Sequence, residues 1–108
     1  MTHMPAVIRP AAQSPEVALA IRVYGNSVRL EIVVALRRGS CRRAELVDRT
    51  RLTAEAVTAQ LRELQALGLV HGEVLPGQGR PMLYSLNHSR ADDLLHALTT
   101  YASGKASA

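Results

Sequence analysis

At Gly68 the spacing of apolar residues changes period, and that change decides what the chain can become. Before it, Val57, Leu61 and Leu64 recur at i, i+4 and i+7, which places them on one face of a helix. After it, Met82, Tyr84 and Leu86 alternate with Leu83, Ser85 and Asn87, the period of a strand with one buried face. Two such segments, Leu69 to Leu75 and Pro81 to Asn87, flank Pro76-Gly77-Gln78-Gly79-Arg80, a loop of the kind that joins antiparallel strands. A lone hairpin is only marginally stable in water, so this one must lay a face on the helices before it.

Those helices are legible from their ends. Ser14-Pro15-Glu16 reads as a start, because Ser offers an oxygen to orphan N–H groups, Pro tolerates the first helical position and Glu suits the dipole. Gly25 stops this first helix, and Asn26 caps a second that runs to about Arg38 before Gly39. The centre of the second, Leu30 to Leu36, contains three consecutive β-branched residues and has strand propensity. Its length, its cap and its glycine favour helix, and its apolar surroundings predict the most buried element of the fold. A short helix from Arg43 to Arg49 follows, with Leu46 and Val47 inward. A turn through Thr50, Arg51 and Leu52 then leads to Thr53, the N-cap of a longer helix reaching Leu67. After the hairpin a last helix, about Ser89 to Tyr101, carries Leu94, Leu95, Leu98 and Tyr101. The expected fold is mainly α with a small β-hairpin, in the order α-α-α-α-β-β-α. Residues 14–103 form one domain, with a flexible arm at 1–13 and a flexible tail at 104–108.

Composition closes off several classes of function. A chain of 108 residues holds a single core, and 47% hydrophobic against 20% charged residues is the balance of an ordinary globular domain. With three Tyr and no Phe or Trp, the core must be aliphatic and stacking platforms for single-stranded nucleic acid are not expected. The single cysteine, Cys41, excludes an internal disulfide and a multi-thiolate zinc site. No apolar run approaches the roughly 18 to 20 residues that span a bilayer. The opening MTHMPAVIRP does not read as a secretory signal, so no membrane association and a cytoplasmic location are expected.

Charge is informative through its placement. Between Arg37 and Arg62 lie seven arginines against three acids, which accounts for the whole formal net charge of +4. Basicity concentrated in one window points to phosphate. A helix, a bracing short helix, a turn, a second helix and a hairpin tipped by Gly79-Arg80 make the order of a winged helix-turn-helix. In that arrangement one helix enters the major groove and the hairpin tip reaches an adjacent groove or phosphate.

The residues also carry a resemblance. Gly25-Asn26-Ser27-Val28-Arg29-Leu30-Glu31-Ile32 resembles the opening of ArsR-type bacterial repressors. Glu45-Leu46-Val47, Leu52-Thr53, Val57-Thr58, Leu61-Arg62-Glu63-Leu64 and Leu67-Gly68-Leu69-Val70 resemble that family's helix-turn-helix, and Gly79-Arg80 with Leu83-Tyr84-Ser85-Leu86 its wing. The likeness covers about residues 17–101; MarR-type and phage or plasmid regulators share parts of it. The family's metal sensors carry paired cysteines where this chain has Arg42 and Ala44, and Cys41 stands alone and displaced by one residue, so a thiolate sensor is not expected. His88, Asp92 and His96 fall on one face of the last helix, but they do not reproduce the family's second metal spacing and read as a solvated side. No metal and no cofactor are expected.

Arg43, Arg51 and Arg62 are phosphate candidates beside the turn, together with Thr53 at the start of the recognition helix. Glu55 either accepts from cytosine N4 or only complements the helix dipole, while Thr58 suits a base edge or a thymine methyl and Ala59 permits close approach. Gln60, nearer the buried side, touches phosphate or nothing. Arg37 and Arg38 end the buried helix and suit its C-terminal dipole, whereas Arg80 points to minor-groove or phosphate contact. In the resembling family the first and last helices form the homodimer interface, which here implies Val17, Ile21, Tyr24, Leu94, Leu95, Leu98 and Tyr101; the alternative is a larger monomer core.

The expected function is that of a homodimeric, sequence-specific regulator of transcription, acting as a repressor on double-stranded DNA, with no effector identified. Two alternatives are a DNA-architectural or recombination accessory factor of a mobile element and a winged-helix protein-interaction module. No nucleophile and base pairing and no phosphate loop mark the chain as an enzyme, and no catalytic residue is assigned.

Overall fold

The computed structural model describes residues 13–105, so most of the expected N-terminal arm and residues 106–108 of the tail lie outside the described residues. Five helices and three strands follow one another: α1 Pro15–Tyr24, α2 Ser27–Arg37, β1 Cys41–Arg42, α3 Arg43–Thr50, α4 Ala54–Ala66, β2 Val70–Val74, β3 Met82–Leu86 and α5 His88–Ala102. Each predicted helix is present and starts within a residue or two of its expected position.

The caps explain the boundaries. Ser14, Asn26, Thr53 and Asn87 each adopt an extended backbone, and their side chains accept from Val17, Arg29, Ala56 and Arg90 N–H respectively. Each cap satisfies one orphan donor of the first turn. The chain leaves α4 through Gly68 at φ 77°, a conformation costly for a side chain with a Cβ. The Leu69 N–H reaches back to the Leu64 carbonyl at 2.9 Å, closing the helix end before the first wing strand.

Two features differ from the sequence expectation. The sheet has three strands, in the order β1-β3-β2, because Cys41 and Arg42 pair antiparallel with Tyr84 and Leu83. The wing therefore has its inner strand paired on both sides and is anchored to the start of α3. The second difference concerns α2, which buries Ile32, Val33, Ala35 and Leu36 but leaves Glu31 and Val34 exposed, as it does its C-cap Arg38. It is central without being enclosed.

The core is aliphatic throughout: Ile32, Leu36, Leu46, Leu61, Leu64, Leu69 and Leu94 are the largest of its fully buried side chains, and no polar residue is buried with them. Leu46 of α3 and Val57, Leu61 and Leu64 of α4 join the helix-turn-helix to α2 in one buried cluster, so the outer surface of α4 rests on the core. At the opposite end α1 packs along α5. The Tyr24 hydroxyl donates to the Ala91 carbonyl at 2.7 Å, and Arg90 pairs with Glu16 at 3.1 Å.

Candidate nucleic-acid interface

The turn between α3 and α4 is built by local hydrogen bonds. Thr50 donates through Oγ1 to the Leu46 carbonyl at 2.6 Å and accepts from Leu52 N–H at 3.3 Å. Arg51 takes a left-handed backbone, φ 61° and ψ 18°, and its N–H closes α3 on the Val47 carbonyl at 2.9 Å. This left-handed residue reverses the chain, so that Thr53 can cap α4.

On the outer side of α4 the structure brings together most of the predicted DNA-reading set. Arg43, Ala54, Glu55, Thr58, Ala59 and Arg62 line one open depression of about 330 Å³. Small side chains form its floor and two guanidiniums flank it. Arg43 Nη1 donates to Thr58 Oγ1 at 3.3 Å, which ties the bracing helix to the reading helix. Thr53 spends its hydroxyl on the α4 cap, accepting from Ala56 N–H at 3.1 Å. Arg43, Arg51, Arg62, Arg80 and Glu55 form no ion pair with any described residue, so all four guanidiniums and the carboxylate face water. The first turn of α4 adds the partial positive charge of its unsatisfied N–H groups.

The basic window divides on inspection. Arg37 belongs to the interior end of the molecule: it pairs with Asp92 of α5 at 2.8 Å and donates to the Tyr24 hydroxyl at 3.4 Å. Burial disfavours its charge, but the Asp92 carboxylate and the Tyr24 hydroxyl more than offset that, and its pKa lies above the ordinary value. Arg49 turns inward to the carbonyls of Gly39 and Ala35 at 3.2 and 3.5 Å, closing the C-terminal end of α2. What remains for an external anion is Arg38, Arg42, Arg43, Arg51, Arg62 and, on the wing, Arg80.

Arg80 sits at φ 46° within the loop from Leu75 to Pro81, its N–H donating to the Gly77 carbonyl at 3.3 Å. The Leu75 N–H donates to the Pro81 carbonyl at 2.7 Å and pinches the base of this loop, leaving residues 76–80 exposed at the tip.

Several predicted residues lie elsewhere. Gln60 is half-buried, and its Oε1 accepts from Arg29 Nε at 2.8 Å, on the inner side of α4. Val17 and Leu94, expected in a dimer interface, are 1% and 0% exposed within the single chain; they are interior residues of this chain, because α1 and α5 pack on each other. Ile21 and Leu95 do stay exposed, at 41% each, while Tyr24, Leu98 and Tyr101 are half-buried. Asp92 is engaged by Arg37, and among the described residues no group of three or more His, Cys, Asp or Glu side chains is gathered for a metal. Cys41 is buried in β1, and desolvation pushes its thiol pKa up despite the opposing charge of Arg49, with Glu45 adding to the rise. No helix among the described residues is long and apolar enough to cross a membrane.

Comparison with known proteins agrees with this geometry. Residues 26–71, from the cap of α2 into β2, match the sequence model of the bacterial regulatory protein, ArsR family. No curated protein matches the chain. Among solved structures, diamide-treated YodB from B. subtilis superposes with a TM-score of 0.70 at 20% identity, over 84% of this chain and 90% of that one. A putative MarR-family transcriptional regulator from Enterococcus faecalis gives 0.66 at 22% identity, over 90% and 93%. An ArsR-like transcriptional regulator from a Rhodococcus species gives 0.63 at 24% identity, over 82% and 81%. Residues 26–71 are thus similar to the ArsR-family model, and the chain shares its winged-helix fold with solved ArsR-like and MarR-family transcriptional regulators.

Proposed function

We propose that the chain is a homodimeric, sequence-specific repressor that lays α4 in the major groove of an imperfect palindrome. The observation that carries this reading is the open depression shared by Arg43, Glu55, Thr58, Ala59 and Arg62. It is open to solvent, its two guanidiniums suit flanking phosphates, and its one carboxylate has no ion-pair partner among the described residues. An unpaired carboxylate between arginines repels phosphate and accepts from an exocyclic amine, so Glu55 reads cytosine N4 while Thr58 meets an adjacent base or a thymine methyl. Arg51 holds phosphate beside the turn, Thr53 presents the start of α4, and Arg80 on the wing takes the minor groove or its phosphates.

Two copies are required for a palindrome. The exposed Ile21 on α1 and Leu95 on α5, with the half-buried Leu98 and Tyr101 on α5, support an interface on the α1 and α5 face. Repression then needs only occupancy of a promoter.

Selection from a random duplex library with the full chain tests the reading. The expected result is a site with two half-sites roughly 34 Å apart, bound on the order of 1,000-fold more tightly than random duplex. Equal affinity for every duplex overturns it. In the same assay Arg80→Ala should weaken the selected site with the fold intact, and unchanged affinity removes the wing from the mechanism.

A further inference from the structure

The inner side of α4 carries a polar cluster that the reading surface does not use. Arg29, on the first turn of α2, directs its guanidinium at two other helices. Nε donates to Gln60 Oε1 at 2.8 Å, Nη1 donates to the Arg22 carbonyl at 2.6 Å, and Nη2 stands 3.9 Å from Glu63 Oε2. Arg22 completes the ring, its Nη2 donating to the same Glu63 oxygen at 2.6 Å. The Arg29 side chain is only 16% exposed. Its acceptor on α1 belongs to the last turn, where carbonyls lack intrahelical partners and the dipole is negative.

Gln60 and Glu63 are three residues apart and so share a side of α4. At 3.6 residues per turn Gln60 lies roughly 150° round the helix from the centre of the arc formed by Glu55, Thr58, Ala59 and Arg62. Because a guanidinium only donates, the amide oxygen of Gln60 must face Arg29. The residue is therefore spoken for from behind.

The apolar contacts of α4, through Val57, Leu61 and Leu64, turn one face to the core and so set its rotation to within the width of that stripe, because hydrophobic attraction is non-directional within it. A planar guanidinium fork is directional. We propose that Arg29 is a positioning residue for DNA reading. Through Gln60 and Glu63 it sets the rotation of α4 about its own axis and locks it to the end of α1, and Gln60 acts in this clamp instead of touching DNA. The proposal rests on the reading of α4 as the recognition helix.

Three variants of the full chain test it: Arg29→Met, Gln60→Met and Gln60→Glu. The last keeps an acceptor for Arg29 but would repel a phosphate. Binding is measured to the duplex recovered by selection and to a random-sequence duplex of equal length. Arg29→Met and Gln60→Met should lower the ratio of the two affinities by roughly tenfold to a hundredfold, the scale of one misplaced base contact. The salt slope on random duplex should stay unchanged, because no phosphate contact is removed. Gln60→Glu should hold the wild-type ratio within about threefold. A wild-type ratio in Gln60→Met, or a loss in Gln60→Glu equal to that in Gln60→Met, overturns the clamp.

A second arm needs no DNA. Residual dipolar couplings of the free protein report the orientation of α4 relative to α1, which should change in Arg29→Met and Gln60→Met and persist in Gln60→Glu. Unchanged couplings in both Met variants overturn the proposal. If the wild-type chain selects no duplex, the DNA reading fails by itself, while the couplings still decide whether the clamp exists.

Discussion

Arg51 holds two roles that a single substitution separates. Its left-handed backbone costs an L residue free energy that glycine does not spend, while its exposed guanidinium stands beside the turn where a DNA backbone should pass. Arg51→Gly is expected to leave stability unchanged or raise it by up to about 1 kcal/mol. The same change should weaken binding to all duplexes alike and reduce the salt slope by about one. Urea unfolding and salt titrations check both; a fall in stability would mean that the side chain is structural. The basic window was legible in the sequence as a concentration of positive charge, because that needs no fold to be seen. Its internal division was legible only in part, since Arg37 and Arg38 visibly end the buried helix while the partners of Arg37 and Arg49 lie far off in the chain. Arg37 is paired with Asp92 on the last helix and Arg49 is hydrogen-bonded to the carbonyls ending α2, and only the packed chain brings those partners near. Gln60 was ambiguous for the same reason, since its partner Arg29 lies on another helix.

Among the elements, those with local signals were the ones the sequence disclosed. Ser14, Asn26 and Thr53 announce α1, α2 and α4 because a capping side chain acts within three residues of itself. The strand propensity of Ile32-Val33-Val34 yields to the cap at Asn26 and to burial of one face of the resulting helix. β1 had no such signal. Two residues, Cys41 and Arg42, become a strand only because β3 offers an unpaired edge. The join between wing and last helix depends on Asn87, whose Oδ1 caps α5 at Arg90 N–H, 3.2 Å, and whose Nδ2 donates to the Gly68 carbonyl at 3.3 Å. Asn87→Ala should cost about 1 to 2 kcal/mol, read from the urea midpoint. Asn87→Ser retains a cap and should recover most of that loss; a Ser variant as unstable as Ala would assign the effect to the Gly68 bond.

At the scale of the whole molecule, the two ends of the chain's surface differ in kind. One end carries the unpaired arginines of the helix-turn-helix and wing. The other presents α1 and α5, where exposed Ile21 and Leu95 stand on helices already joined by Arg90 with Glu16 and by Tyr24 with the Ala91 carbonyl. A formal net charge of +4 per chain becomes about +8 in a dimer, which favours encounter with DNA. In the proposed dimer, binding of the second half-site becomes an intramolecular event. Leu95→Glu and Ile21→Glu place a carboxylate on that outer face without entering the core, so each chain should still fold. Light scattering should then give the monomer mass, and affinity for the selected palindrome should fall by about 100-fold or more. Val34→Glu supplies the control, because Val34 is an exposed apolar residue at 37% on α2. It should leave the dimer intact. A dimer that survives both Ile21→Glu and Leu95→Glu, or one that dissociates in Val34→Glu, would move the interface away from α1 and α5, and the spacing of the half-sites would have to follow from a different arrangement of the two chains.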